Sequence, residues 1–239
     1  MTKLSININK IATLRNARGG NVPNVVKFAM DCERFGVDGI TVHPRPDERH
    51  ITLQDVYDLA PVVNTEFNIE GYPDARFMKM VAAIKPAQAT LVPDPPHVLT
   101  SNTGWDVIKN KSLLIDIINQ LHGYGVRVSI FLNPELDQVE AAKLSGTDRI
   151  EFYTGPYADH YQQDKHLAIA AYVSAAQAAH AIGLGINAGH DLSLQNLKFF
   201  KQSLVHLDEV SIGHAIISDA LYYGIENTIQ MYKRLLSDN

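Results

Sequence analysis

At 239 residues the chain exceeds a common single domain of roughly 100–150 residues and suits one α/β barrel of roughly 250. Hydrophobic residues make up 46% and charged residues 20%, which supplies a sizeable core and excludes intrinsic disorder. Lys and Arg number 21 against 26 Asp and Glu, a formal charge of −5 with no basic block, which excludes a nucleic-acid partner held by its backbone charge.

The chain opens with an alternating run, Lys3-Leu-Ser-Ile-Asn-Ile-Asn9, the period of a half-buried strand and not the continuous apolar stretch of a signal peptide. Further strands are predicted at about 39–43, 66–70, 87–92, 127–132, 149–153, 185–187 and 209–212. Helical spacing falls between them at 24–35, 53–63, 74–84, 112–124, 135–144, 164–182 and 194–201, and closes the chain at 215–223 and 225–236. Phe35-Gly36 and Ile182-Gly183 place glycine where a left-handed residue ends a helix. Pro73-Asp74 and Pro134-Glu135 suit helix starts. Cys32, the only cysteine, permits no intrachain disulfide and is expected on the buried face of its helix. No apolar run approaches the roughly 18 residues of a membrane span, so a soluble cytoplasmic protein without a membrane partner is expected.

Eight strand–helix units in 239 residues average about 30 residues each, the size of one such unit with its loops. No linker-like stretch divides them, so the prediction is one α/β domain over residues 1–239, a closed (β/α)₈ TIM barrel. A doubly wound open sheet is the alternative; it commonly carries a Gly-x-Gly-x-x-Gly turn after its first strand, where this chain has Asn7-Ile-Asn-Lys10.

In a parallel barrel the loops after the strands form the catalytic face, so the polar residues at those ends are the candidates. Strand one ends in Asn7, Asn9 and Lys10, strand two in His43-Pro-Arg45 and the run to His50, strand three in Glu70, and strand four in Val92-Pro-Asp94. Strands five to eight end in Asn133, Glu151, Asn187-Ala-Gly-His190 and Gly213-His214. A lone His or Glu in a strand is ordinarily structural; four of them, His43, Glu70, Glu151 and His190, at the same end of different strands make a set for multistep acid–base chemistry. The glycines of Gly189-His190 and Gly213-His214 precede helical stretches, where backbone amides can hold a phosphate. Lys10, Arg15, Arg18, Arg45, Arg49 and His50 offer anion contacts on the opposite side of the mouth. His122, His166, His180 and His206 fall away from it. No His-x-x-x-His or paired-cysteine spacing specifies a metal, and no cofactor is predicted.

Taken in order, Asn7-Ile-Asn-Lys-Ile-Ala-Thr-Leu-Arg15-Asn-Ala-Arg18-Gly, Gly39-Ile-Thr-Val-His43-Pro-Arg45, Asp47-Glu-Arg-His50-Ile, Asn68-Ile-Glu70, Asn187-Ala-Gly-His190 and Ile212-Gly-His214-Ala-Ile resemble the pyridoxine 5′-phosphate synthase family across nearly the whole chain. The resemblance implies a (β/α)₈ barrel that condenses 1-deoxy-D-xylulose 5-phosphate with 3-amino-2-oxopropyl phosphate, giving pyridoxine 5′-phosphate, phosphate and water in vitamin B6 biosynthesis. It implies His43 and Glu70 as proton acceptors, His190 as proton donor and Glu151 as the transition-state stabiliser. Asn7, Arg18, Asp191, Gly213 and His214 correspond to contacts with the amino-ketone phosphate, and Asn9, Lys10, Arg45, His50 and Thr100 to contacts with the sugar phosphate. It also implies a homo-octamer. The chain departs from the commonest family pattern at Asn9-Lys10, where Asp-His is usual, and at Asp191, where glycine is frequent. The loop around 93–105, with Thr100 inside it, is expected to act as a lid. The competing readings are a metal-dependent phosphosugar epimerase or lyase, separable by chelator sensitivity, and a non-catalytic barrel that binds a phosphorylated metabolite without releasing phosphate.

Overall fold

A computed structural model describes residues 1–93 and 103–237. Its strands are β1 (Lys3–Asn7), β2 (Gly39–Val42), β3 (Glu66–Gly71), β4 (Gln88–Leu91), β5 (Arg127–Leu132), β6 (Arg149–Phe152), β7 (Gly185–Gly189) and β8 (Leu207–Ile212). All pair in parallel and in sequence order, and β8 returns to β1 with Leu4 opposite Val210 and Ser5 opposite Ser211, closing the predicted barrel. Around it run α1 (Asn9–Asn16), α2 (Val25–Arg34), α3 (Leu53–Leu59), α4 (Ala75–Ile84), α5 (Lys111–Gly123) and α6 (Leu136–Ser145). The ring continues with α7 (Gly155–His160), α8 (Lys165–Ala181), α9 (Leu197–Ser203), α10 (His214–Tyr223) and α11 (Ile225–Leu236). Among the described residues no helix is long and apolar enough to cross a membrane.

Side-chain alternation in the strands sorts two environments. Leu4, Ile6, Ile40, Val42, Ile69, Val128, Ile130, Ile150, Ile186 and Val210 are fully buried and belong to the apolar cluster shared with the helices. Burial of each such side chain is worth about 1.5–3 kcal/mol, so the stabilising core lies between sheet and helices. The intervening residues are polar: Ser5 Oγ lies 2.8 Å from Thr41 Oγ1, Asn68 Nδ2 donates to Thr41 Oγ1 at 3.3 Å, and Thr90 Oγ1 donates to Asn68 Oδ1 at 3.0 Å. The barrel axis is therefore lined with hydrogen-bonding groups instead of the branched aliphatic layers usual in this architecture. Side chains that emerge at its mouth continue a polar column.

Local chemistry sets the boundaries. Gly36 and Gly183 take φ of +92° and +73°, as the helix ends before them require. Asn24 and Asp74 cap α2 and α4 by accepting from Lys27 N and Phe77 N at 2.7 and 2.8 Å, and Thr52 with Asp55 forms a capping box on α3. Cys32 is fully buried in α2. Two short helices depart from the expected pattern. The first strand stops at Asn7, because its Oδ1 accepts Asn9 N at 3.1 Å and turns the chain into α1. The second, α7, is six residues long with proline in its first turn, too short to show a helical period. The predicted lid falls largely on 94–102, and Asp94 and Thr100 lie outside the described residues.

Candidate active site

A cavity of about 560 Å³ opens at the carboxyl ends of the strands. On its β1–β3 side Asn7 is the organiser: its Oδ1 fixes the turn into α1, while its Nδ2 donates to Glu70 Oε2 at 3.2 Å. Asn9 Oδ1 accepts His43 N at 2.9 Å, so the start of α1 holds the end of β2 in place. His43 Nδ1 then stands 3.9 Å from Glu70 Oε2. Burial drives the His43 imidazole well below its ordinary pKa, and the positive charges of Arg45 and Arg49 push the same way. His43 is therefore a neutral, proton-accepting imidazole beside a carboxylate at neutral pH.

Across the cavity, Glu151 at the end of β6 is almost fully buried, and its Oε2 has no hydrogen-bond partner among the described residues. Burial, reinforced by the facing Glu70 carboxylate, pushes Glu151 up to about 8, so it is largely protonated at neutral pH. Next to it, β7 approaches β8 so closely that a Cβ on Gly189 would clash with Ser211 O. The following residue, His190, takes φ of +64°, and its Nδ1 lies 2.9 Å from Asp191 Oδ2. That hydrogen bond raises the His190 pKa, against the opposing effect of burial. The two histidines thus have opposite charge preferences, one arranged to take a proton and the other to give it.

Two anion-binding regions flank these four groups. Gly213 precedes α10 without a side-chain cap, which leaves the first N–H groups of that helix and His214 facing the cavity at the positive end of the helix dipole. Beside it, after the neighbouring strands β1 and β2, Lys10, Arg45, Arg49 and His50 line the wall, so the two regions adjoin instead of facing each other across the mouth. Burial first, then the cations Arg45, Lys10 and Arg49, lower His50 to about 4. Its Nδ1 accepts Ile51 N at 2.9 Å, so the neutral ring presents Nε2–H as a donor.

Of the predicted site residues, Asn7, Asn9, Lys10, His43, Arg45, His50, Glu70, Glu151, His190, Gly213 and His214 meet in this cavity. Arg18 lies on the exposed turn after α1 and does not line it, and the Asp191 carboxylate is turned to His190. Arg15 is a buried partner of Asp55 and donates to His50 O at 3.3 Å, so it braces the loop that carries His50 and is not an anion contact. Asn133 accepts Gly104 N at 3.0 Å and Asn187 accepts Arg149 Nη1 at 2.9 Å, which takes both away from the mouth. Val92, from the predicted strand-four end, lines the cavity, and so do Thr13, Phe131 and Ser211, which were not among the predicted contacts. Strand parity identifies Phe131 and Ser211, two residues beyond the inward Ser129 and Glu209; Thr13 is one turn from Asn9 on the unforeseen α1. Among the described residues no group of three or more His, Cys, Asp or Glu side chains is gathered to hold a metal ion.

Solved structures similar to this chain include 3-keto-L-gulonate-6-phosphate decarboxylase from Vibrio cholerae, with a TM-score of 0.67 at 9% identity over 98% of this chain and 97% of that one. Phosphoribosyl anthranilate isomerase matches with a TM-score of 0.61 at 10% identity over 99% and 98%. At such identities these likenesses concern the fold alone. Sequence relatives are far nearer: pyridoxine 5′-phosphate synthase of Porphyromonas gingivalis is 59% identical, over 99% of this chain and the whole of that protein. The protein of the same name from Bacteroides fragilis is 60% identical, again over 99% of this chain and all of its own length. The family model described as pyridoxal phosphate biosynthesis protein PdxJ matches residues 4–238, and with these full-length relatives it makes the chain a member of the PdxJ family.

Proposed function

We infer that this chain is a pyridoxine 5′-phosphate synthase, which joins 1-deoxy-D-xylulose 5-phosphate to 3-amino-2-oxopropyl phosphate and releases phosphate and water. The observation that carries the reading is a mouth with a neutral and a charge-favouring histidine around two carboxyl groups, flanked by two anion-binding regions. Two phosphorylated substrates need two such regions. The amino-ketone phosphate fits the α10 side, with Asn7, Gly213 and His214, and the sugar phosphate fits the side of Asn9, Lys10, Arg45 and His50.

The substrate amine attacks the sugar ketone, a C–N bond forms, and water leaves as the imine is made. His43 and Glu70 take the protons removed during enamine formation and dehydration. Phosphate departs with the electrons of its C–O bond, one water adds at the carbon it leaves, and the enamine carbon attacks the amino-ketone carbonyl to form the C–C bond that closes the ring. His190 returns a proton from Nε2 to the departing hydroxyl oxygen, so that water leaves as the ring closes. Glu151, protonated, donates a hydrogen bond to oxygen that gains negative charge, and its buried setting strengthens that bond. Each step is proton movement within reach of a side chain with suitable proton affinity.

The test is to mix the purified protein with both substrates and measure pyridoxine 5′-phosphate together with inorganic phosphate. Both products are expected, and folded protein that yields neither, with or without divalent metal, overturns the reading. The family resemblance further supports a homo-octamer working in the cytoplasm. Leu221 and Tyr222, 74% and 85% exposed on α10, supply apolar surface for assembly, and light scattering in solution reads the number of subunits.

A further inference from the structure

Asp191 presents a geometry that a substrate contact does not explain. His190 carries the only cavity-lining imidazole with a carboxylate at hydrogen-bond distance among the described residues, Nδ1 to Asp191 Oδ2 at 2.9 Å. Adjacent side chains meet in this way because His190 sits in the left-handed region, at φ of +64°. For a residue with a Cβ this conformation is disfavoured. The surrounding backbone is pinned against relaxing it. His190 N donates to Ser211 O at 3.1 Å, Asp191 N to Gly189 O at 2.9 Å and to Thr154 Oγ1 at 3.2 Å, and Asn196 Nδ2 to Asp191 O at 3.2 Å. Thr154 Oγ1 in turn donates to Gly189 O. Strands β7 and β8, the residue after Tyr153 and the approach to α9 all hold one turn, and that turn aims one carboxylate at one imidazole.

We infer that Asp191 is a positioning residue: it orients the His190 ring, keeps the Nδ1 proton in place and leaves Nε2–H as the group that donates to substrate. The inference rests on the synthase reading for what the proton does, but not for the pairing itself. The other charged or titratable groups facing His190 are Glu151 and Tyr153 from the β6 side and Lys10 from α1. Glu151 is largely protonated at neutral pH and Lys10 opposes a charged imidazole, so Asp191 is the neighbour that favours the imidazolium. No new bond-making step is involved; Asp191 keeps its own charge while the proton that moves is the one on Nε2.

The experiment is ring ¹⁵N and ¹H NMR of His190 across pH in the full-length protein, beside the pH profile of turnover, for the wild type, Asp191→Asn and Asp191→Gly. In the wild type above its titration midpoint the remaining ring proton is expected on Nδ1; finding it on Nε2 overturns the inference. In both variants the midpoint is expected to fall, and the basic limb of the turnover profile to move to lower pH with it. Turnover at pH 8 should drop about three- to tenfold while KM for each substrate changes less than about twofold. A midpoint and limb unchanged in either folded variant would overturn it. If the wild type forms no product, the synthase reading fails separately, and the NMR midpoint and tautomer alone decide the role of Asp191.

Discussion

The two ends of this barrel hold similar groups and use them in opposite ways. At the foot, Glu66 and Glu209 act on each other's charge, and permanent cations enclose them: Arg127 and Lys3 on Glu66, and Arg149 Nη1 at 3.4 Å from Glu209 Oε2. Burial and the Glu66 charge hold Glu209 well above the usual carboxylate range, while Glu66, with the cations, ends below it. At the mouth Glu70 and Glu151 also face one another, but the basic groups nearest them are His43 and His190. Guanidinium neighbours lock a charge pattern in place. Imidazole neighbours leave it free to change, and a reaction made of proton transfers requires that freedom.

The comparison is tested most severely at the mouth. Glu70→Gln and His43→Gln should each lower turnover about 10²- to 10⁴-fold, the range for a general acid or base, with melting temperature and KM near those of the wild type. Steady-state formation of pyridoxine 5′-phosphate reads this, and near-normal rates in both variants would remove the functional half of the contrast. At the foot, Arg149→Met removes a cation that acts on Glu66 and the donor to Asn187 Oδ1, and should cost about 1–3 kcal/mol of stability in urea unfolding. Turnover per folded molecule should survive that change; a loss of chemistry instead would mean that the two ends are not separate.

Glu151 sharpens the contrast through pH. Its folded-state pKa of about 8 lies above the ordinary 4.5 of a free glutamate, so its contribution to stability is fully present below about 4.5 and is lost as pH rises through about 8. Glu151→Gln, neutral throughout, should flatten the stability curve over that window, and it should retain more turnover than Glu151→Ala because the amide still donates a hydrogen bond. The smallest effect is expected from Arg15→Lys. It gives up the two-pronged contact with Asp55 and should cost about 1–2 kcal/mol, with a modest rise in KM for the sugar phosphate as the loop bearing His50 loosens.

The barrel was legible because its eight strands repeat one local pattern, apolar residues toward the helices and polar ones toward the axis. His43, Glu70, Glu151 and His190 were legible for the same reason, each standing where an inward position reaches the end of a strand. Position alone misled at Asn187, which turns to Arg149 inside the barrel, and at Arg15, whose charge is answered by an aspartate 40 residues away. Both errors concern partners that meet only in three dimensions. The proton affinities were not readable either: Glu70 and Glu151 are the same residue type, and burial beside a second carboxylate is what keeps Glu151 protonated. The turn that joins His190 to Asp191 depends on a positive φ at a residue that is not glycine, which composition does not announce.

The closure of β1 onto β8 bears on how the protein is made. Leu4 pairs with Val210, so β1 waits for β8, made after all the other barrel strands, before its second edge is covered. The side of the mouth proposed for the amino-ketone phosphate lies on that seam, since Asn7 from β1 packs against Gly213 after β8, where a Cβ would stand 3.2 Å from the Asn7 side chain. A nascent chain that lacks β8 therefore has an open sheet with two bare edges and no assembled mouth. Activity arrives only once β8 is made, and the interval before it is when chaperones matter most to this chain.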